Sequence, residues 1–330
     1  MIVRGIDFGR VWCASGAMNV AGSGYSYHKL FGPLLSFKGV TLVAKTVTAY
    51  EKEGNMPLRD DGVTPEEFRP KCIIVHPFKG HALNAVGLSN KGLNFYLEHN
   101  VWKDRMKPLF LSFMPVEKES VKRMHEATQF GMRLKRAIDT GHFSTDIGLQ
   151  LNASCPNVSK HQAADVMSEI YALLDILSKV SIPIVIKISV TTTVADARGI
   201  AEHPACDGIC VSNTIPWGWQ PQKSFAYQPK IDWKGLFGSD ISPLEHLGGG
   251  GLSGKPLYPY VLKWLKDAAA QNFPVPINAG GGIMSPKDAL RFCDAGASSV
   301  SLGTMVMCRP WQVRRTTRAV NKYFARRNSQ

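Results

Sequence analysis

The fold is decided by residues 107–152, which read KPLFLSFMPVEKESVKRMHEATQFGMRLKRAIDTGHFSTDIGLQLN. Two short apolar runs, LFLSF and IGLQL, flank a long segment whose apolar side chains recur with the helical period. The apolar runs are nearly continuous, which is typical of strands that are covered on both faces in a parallel sheet. The segment therefore predicts a strand, a crossover helix and a second, parallel strand.

The same alternation continues to the end of the chain. Further strand-like runs are IPIVIKIS, DGICVSN, PVPINAG and SSVSLGT, and helical segments follow them, the last of which is strongly basic. Upstream, WCASG, GVTLVAK and KCIIVH bring the number of candidate strands to about eight, the number that closes a barrel. We therefore predict an α/β fold, a (β/α)8 TIM barrel, rather than an open sheet.

One helix can be predicted residue by residue. Ser285 is a good N-cap, Pro286 suits the first helical position, and Gly296 ends the segment. The chain carries no internal repeat and no linker, so we expect a single domain over residues 1–330. Its one unusually long loop, at about residues 216–254, is expected to form a functional surface.

Composition excludes several classes of protein. With 330 residues, 44% hydrophobic and 20% charged, the chain is neither disordered nor collagen-like. Its net charge of +13 is concentrated near the C-terminus, and we interpret this as a solvated helix face rather than a nucleic-acid site. No apolar run is long enough to cross a bilayer, so no membrane association is expected.

The seven cysteines are scattered and include no CxxC pair. This pattern favours neither a disulfide framework nor a zinc or iron–sulfur site. We therefore expect no bound metal and a reducing, cytoplasmic compartment.

Polar groups and glycines follow six of the predicted strands. In a barrel of this kind the carboxyl ends of the strands meet at one rim, where ligands bind. The groups at these ends are Lys45, Asn152 with Cys155, Lys187, Asn213 with Thr214, Gly280 to Gly282, and Gly303 with Thr304. The late glycines precede helices, as in phosphate sites. We predict one ligand site that includes an anion.

The stretch LNASCPNV places Cys155 beside Pro156 in a loop directly after a strand. A thiol in such a loop can act as a nucleophile or as a general base, and nearby cations favour the thiolate that either role needs. No hydrolase-like arrangement of histidines surrounds it, so base chemistry is favoured.

The motif LNASCPN resembles the NxSCPN signature of the dihydroorotate dehydrogenase family, and its cysteine resembles that of the soluble class 1 members. Other landmarks of the family occur in the expected order over about residues 10–310. They are ASG at 14–16, LVAKT at 42–46, EGN at 53–55, NAVGLSN at 84–90, IVIK at 184–187, VSNT at 211–214, GGLSGKPL at 250–257, AGGGI and LGT.

The resemblance implies an FMN enzyme of pyrimidine biosynthesis that oxidises (S)-dihydroorotate to orotate. Cys155 would take the substrate C5 proton as general base while hydride passes to flavin N5, and Lys45 would be the second catalytic residue. Lys187 would neutralise the reduced flavin. Implied substrate-binding residues are Lys45, Asn84, Val86, Gly87, Leu88, Asn152, Asn157, Asn213 and Thr214. Implied FMN-binding residues are Ala14, Ser15, Gly16, Lys45, Thr46, Asn152, Lys187, Ser212, Gly251, Gly281, Gly282, Gly303 and Thr304.

The resemblance leaves partners and oxidant open. Class 1 members are homodimers that reduce fumarate, or catalytic subunits that pass electrons to an FAD and iron–sulfur partner subunit linked to NAD. We expect a homodimer, with the partner subunit and a quinone acceptor as alternatives. A related FMN barrel acting on uracil or tRNA uridine is a second interpretation; the net charge of +13 favours its tRNA form, whereas NAVGLSN, which resembles the carboxylate-binding loop of the family, argues against it. A non-catalytic FMN-binding scaffold is a third.

Overall fold

The computed structural model describes residues 1–153, 163–221 and 229–327. The strands are β1 (Ile2–Val3), β2 (Ile6–Asp7), β3 (Val11–Cys13), β4 (Ile73–His76), β5 (His81–Asn84), β6 (Leu109–Phe113), β7 (Ile147–Asn152), β8 (Ile184–Ser189), β9 (Gly208–Asn213), β10 (Ile215–Pro216), β11 (Gly251–Gly254), β12 (Ile277–Ala279) and β13 (Ser299–Leu302). The α-helices are α1 (Gly92–Glu98), α2 (Ser120–Asp139), α3 (Ala163–Ser178), α4 (Val194–Ala201), α5 (Trp233–Phe237), α6 (Tyr258–Ala270), α7 (Pro286–Asp294), α8 (Thr304–Cys308) and α9 (Trp311–Arg327). The segments Ser26–Leu34, Glu245–Leu247 and Lys255–Leu257 are 3₁₀ helices.

Seven strands form a curled parallel sheet in the order β3-β13-β12-β9-β8-β7-β6. Residues 41–47 lie between its two edges. The amide of Cys13 donates to the carbonyl oxygen of Thr41 at 2.8 Å on one side, and the amide of Ala44 donates to Phe110 at 2.9 Å on the other. The predicted strand GVTLVAK therefore closes the sheet through isolated bridges rather than a regular ladder. The prediction of a (β/α)8 barrel is confirmed.

A second, antiparallel sheet has the order β10-β11-β5-β4. The segment KCIIVH does form a strand, but counting it toward the barrel was wrong, because it pairs with β5 across a short hairpin instead of with a barrel strand. Its partly exposed pattern suits a sheet with one covered face. The long loop predicted at 216–254 contributes β11 to this sheet and also contains α5.

Large apolar side chains fill the half of the barrel formed by the beginnings of the strands. The ring of Phe110 lies 4.1 Å from that of Phe8 and 4.5 Å from that of Trp12, measured between centroids. Val43 and Val185 belong to the same plug of apolar side chains, and all five of these residues are buried. Because the plug blocks that end, ligands can enter only from the end where the strands finish.

The helix ends and faces follow the sequence rules. In α7 the side chain of Ser285 accepts a hydrogen bond from the amide of Asp288, and Pro286 stands in the first turn, as predicted. The last helix, α9, buries Val313 and Val320. Its cationic residues Arg314, Arg315, Arg318 and Lys322 are exposed. In the described ranges, no helix combines the length and apolar composition needed to cross a bilayer.

The plug gives a testable prediction about stability. Replacing Phe110 by alanine leaves a cavity among rings that cannot collapse, and large-to-small changes of this kind cost about 3–5 kcal/mol of unfolding free energy. The matched control is Phe78→Ala, at a side chain that is 99% exposed. Urea unfolding should show a much lower midpoint for Phe110→Ala than for Phe78→Ala, and equal midpoints would contradict the packing role of Phe110.

Candidate functional site

One cavity of about 1950 Å³ opens at the carboxyl ends of the barrel strands. It is larger than the roughly 300–1,000 Å³ typical of a single-ligand pocket, so it has room for more than one bound molecule. Every described residue of the predicted site lines it. These residues are Ala14, Ser15, Gly16, Lys45, Thr46, Asn84, Val86, Gly87, Leu88, Asn152, Lys187, Ser212, Asn213, Thr214, Gly251, Gly281, Gly282, Gly303 and Thr304. The predicted residues Cys155 and Asn157 lie outside the described residues.

Two lysines among the predicted site residues bring positive charge to the strand-end rim of the cavity. Lys187, on β8, is paired in register with Asn152 on β7 and with Cys210 on β9. Burial lowers the pKa of Lys187, and the neighbouring Cys210 thiol opposes this effect. Lys45 is partly buried, and its Nζ donates a hydrogen bond to the carbonyl oxygen of Ser89. Burial lowers the pKa of Lys45 to about 8. An anionic ligand would stabilise both ammonium groups in their charged forms.

Side-chain amides at the ends of β7 and β9, the strands on either side of β8, form a connected polar surface. Asn213 Nδ2 donates to Asn152 Oδ1 at 3.0 Å, and Asn213 Oδ1 accepts from the amide of Thr214 at 2.9 Å. On the antiparallel sheet, Asn84 Nδ2 donates to the carbonyl oxygen of Gly251 at 3.3 Å. These bonds fix the orientation of each amide, so that donors and acceptors stand at defined places in the cavity.

The loop after β5 is held against the segment EGN. Asn55 Nδ2 donates to the carbonyl oxygen of Ala85 at 2.7 Å, and the amide of Asn55 donates to that of Val86 at 2.8 Å. The hydroxyl of Ser89 closes the turn by donating to Val86 at 3.1 Å. This bracing gives Val86, Gly87 and Leu88 a fixed position at the cavity wall.

A glycine-rich wall lies where β11, β12 and β13 end. Gly281 and Gly282 have φ values of +94° and +96°, which side chains rarely adopt. A Cβ added at Gly282 would meet the backbone nitrogen of Tyr258 at 2.6 Å. Thr304 Oγ1 donates to Ser253 Oγ at 2.9 Å across this wall. Gly282 is thus needed for close packing on the start of α6, while Gly281, Gly282 and Gly303 line the cavity with bare backbone, as in sites that hold a phosphate.

Residues one step deeper in the barrel were missed by the sequence predictions. Gln150, Cys210 and Ser301 also line the cavity, each two residues before a predicted site residue. Because side chains alternate along a strand, residues i and i−2 share a face. Applying that period backward from each strand end would have found all three. Within the part of the chain that the structure describes, no three His, Cys, Asp or Glu side chains are grouped as a metal site requires.

Comparisons with known proteins identify the family of the chain. Residues 11–323 match the family model described as dihydroorotate dehydrogenase. The chain belongs to the dihydroorotate dehydrogenase family. A catalytic subunit of dihydroorotate dehydrogenase B (NAD(+)) from Desulforamulus reducens is 28% identical over 82% of this chain and 81% of the relative. The corresponding subunit from Geobacillus kaustophilus is 30% identical over 68% of this chain and 64% of the relative.

A solved structure shows the same fold. The dihydroorotate dehydrogenase of Eimeria tenella, in complex with ferulenol, superposes with a TM-score of 0.68 at 20% identity, covering 98% of this chain and 84% of that one. The predicted membership of the dihydroorotate dehydrogenase family is thus confirmed, and the relatives named above agree with the class 1 type. The chain is an enzyme of this family of flavin-dependent oxidoreductases.

The lowered pKa of Lys45 predicts a pH dependence of stability. Between about pH 8 and the ordinary lysine value of 10.5, the unfolded chain binds a proton at this position that the folded chain has lost. The unfolding free energy therefore gains a contribution that rises with pH across this window. Relative to Lys45→Met, the wild type should become more stable between pH 8 and pH 10.5, as measured by urea unfolding.

The exposed Lys266→Met variant, on α6 and away from the cavity, is the control for loss of a lysine elsewhere on the chain. A difference between wild type and Lys45→Met that stays constant or falls with pH would contradict the desolvation of this ammonium group.

Proposed function

We propose that this protein oxidises (S)-dihydroorotate to orotate with FMN as its resident cofactor. The observation that carries the proposal is the convergence of two lysines, four polar strand-end side chains and a glycine-rich wall on one cavity, in a chain of this family. Residues 1–330 would act as one FMN-binding domain, which the pairing of β3 with β13 supports.

The wall of the cavity fits a flavin mononucleotide. The glycine-rich wall would hold the phosphate, because no side chain at Gly281, Gly282 or Gly303 blocks the backbone there. Ala14, Ser15 and Gly16 would border the ring system together with Thr46 and Ser212, while Lys187 and Asn152 would contact its polar edge. Ser15 is well placed for this, since its hydroxyl is anchored to the carbonyl oxygen of Ala44 at 2.9 Å. The flavin supplies the hydride acceptor of the reaction.

The substrate would be recognised by amides. Dihydroorotate carries an imide, which needs donors and acceptors together, and carboxamides provide both. Asn84, Asn152, Asn213 and Thr214, together with Asn157, are the proposed ring contacts. The ammonium of Lys45 would attract the substrate carboxylate, beside the loop formed by Val86, Gly87 and Leu88.

Cys155 is the proposed general base. It would remove the proton from substrate C5 while the hydride leaves C6, so that a carbon–carbon double bond forms and orotate results. The proposal rests on its position in the LNASCPN motif, three residues after Asn152, which is in register with Lys187. The positive charges of Lys187 and Lys45 would favour a thiolate.

The relatives named as NAD(+) catalytic subunits support an electron-transfer partner. We propose that a second subunit with FAD and an iron–sulfur cluster receives the electrons and passes them to NAD. The cysteines of the described ranges are free and buried, so they suit core packing rather than cluster binding. A homodimer of this chain remains part of the proposal, and the free cysteines fit a cytoplasmic location.

Anaerobic titration with substrate tests the reaction. The purified protein should release FMN on denaturation, and the intact yellow protein should bleach on addition of dihydroorotate, with orotate formed in equal amount. Fumarate, NAD with partner subunit, or a quinone would be identified by which one restores the colour. A flavin that stays yellow with dihydroorotate but responds to dihydrouracil or to tRNA would replace the proposed substrate.

Replacing Cys155 by alanine tests the base. Flavin binding should persist, while the rate of bleaching by dihydroorotate should fall by about 10²–10⁴, the usual contribution of a positioned base. Cys155→Ser should retain part of the rate. The control Cys293→Ala, in the buried face of α7, should bleach normally. Near-normal bleaching of Cys155→Ala in stopped-flow measurements would remove Cys155 from the mechanism.

Replacing Lys187 by methionine tests the cationic contact to the flavin. Hydrogen bonds to charged groups contribute about 1.5–3 kcal/mol, so FMN should bind roughly tenfold to a hundredfold more weakly. The reduction potential should fall, because the positive charge stabilises the reduced form. Lys187→Arg, which keeps the charge, should retain most of both properties. Unchanged affinity and potential in Lys187→Met would contradict the assigned role.

A further inference from the structure

Gln150, in the inner wall of the cavity, has a buried polar atom without a partner in the described part of the chain. Its side chain is 1% exposed, and it stands two residues before Asn152 on β7, so both face the barrel interior. The amide oxygen Oε1 has no hydrogen-bond partner in the described part of the chain. The residue nevertheless lines the cavity. A ligand bound against this wall of the cavity can supply the donor that the acceptor lacks.

The surrounding polar groups satisfy one another. Thr46 and Ser112 share a hydrogen bond of 2.8 Å, and Cys210 Sγ donates to Asn278 Oδ1 at 3.2 Å. Ser301 Oγ also donates to Asn278, at 2.5 Å. Buried polar atoms in native proteins nearly always have partners, and a buried acceptor left without one destabilises the fold.

Gln150 is also distinct from the other unpartnered groups. Three further buried atoms in the described ranges lack partners, on His28, His142 and Tyr258, and none of these residues lines the cavity. Gln150 therefore combines two properties, an unsatisfied acceptor and a position at the ligand site.

We propose that Gln150 accepts a hydrogen bond from the imide N3–H of the flavin ring. This inference rests on the proposed function, because it assumes that FMN occupies the cavity. The oxidised isoalloxazine ring has a single N–H group, N3–H, which lies between two carbonyls and next to the N1/O2 edge. Lys187, proposed to contact that edge, stands on the strand adjacent to Gln150. The neighbouring N3–H is thus the donor from which Gln150 Oε1 on β7 can accept a hydrogen bond.

The neutral side-chain amide of Gln150 affects the flavin site differently from a carboxylate. A glutamate at this position could also accept the N3–H bond, but its negative charge would offset the positive charge of Lys187. The neutral amide accepts the bond and leaves that positive charge available to the flavin. Gln150 is therefore a positioning residue for the ring and preserves the electrostatic role proposed for Lys187.

The test compares two flavins and two proteins. The full chain is stripped of flavin and titrated with FMN and with its N3-methyl analogue, and binding is followed by quenching of flavin fluorescence. The wild type should bind the N3-methyl analogue about tenfold more weakly than FMN, the size expected for one lost buried hydrogen bond. In Gln150→Met, which keeps side-chain length, FMN should bind about tenfold more weakly and the preference over the analogue should disappear.

Controls separate this inference from the proposed function. Gln271→Met, at an exposed position, should keep the full preference for FMN. If the wild type binds FMN but does not discriminate against the N3-methyl analogue, the role of Gln150 is overturned while the proposed function stands. That comparison needs no variant, so it holds even if Gln150→Met folds poorly. A Gln150→Met protein that keeps the wild-type preference also overturns the role, and a wild type that binds no FMN overturns both proposals.

Discussion

The structure depends on the closure of the barrel around Phe110. The amide of Phe110 donates to the carbonyl oxygen of Leu42 at 2.9 Å. This bond joins β6, at the edge of the parallel sheet, to residues 41–47. The side chain of Phe110 packs inward on Phe8 and Trp12. Phe110 thus takes part both in the backbone hydrogen bonds that close the barrel and in the apolar plug. Both are needed before the ligand-binding end of the barrel can hold polar groups. With that end blocked by apolar rings, lysines and amides can be buried at the other without solvent reaching them from below.

The sequence predicted the barrel strands well because nearly continuous apolar runs have few alternative structures. The helices of the C-terminal half were predicted equally well, and Ser285 and Pro286 marked one helix start correctly. The isolated bridges of residues 41–47 were harder to predict, since they depend on two strands that are distant in the sequence. The place of KCIIVH was missed for a similar reason. A four-residue strand carries no local signal that says which sheet it joins.

The residues of the candidate site likewise divide into those that the sequence could predict and those that it could not. Strand-end positions such as Asn213 and Thr214 were predictable, because parallel strands deliver their last residues to one rim. Gln150 was overlooked because it lies within an apolar run, where a single polar residue resembles an ordinary interruption. Its significance comes from the absence of a partner in the described part of the chain, and only three-dimensional neighbours can reveal that. The tuning of Lys45 likewise depends on burial, which its sequence context does not encode.

The antiparallel sheet places alternate residues on opposite sides. Ala82, Asn84, Gly251 and Ser253 line the cavity, while Leu83 and Leu252 are fully buried in the core on the other face. Asn84 stands opposite Gly251 in this ladder. A single-residue deletion within β5 would exchange the two faces and turn Leu83 toward the cavity. Changes in chain length are therefore better tolerated at the exposed residues 77–79 of the hairpin tip than within β5, which can evolve by substitution but not by insertion or deletion of one residue.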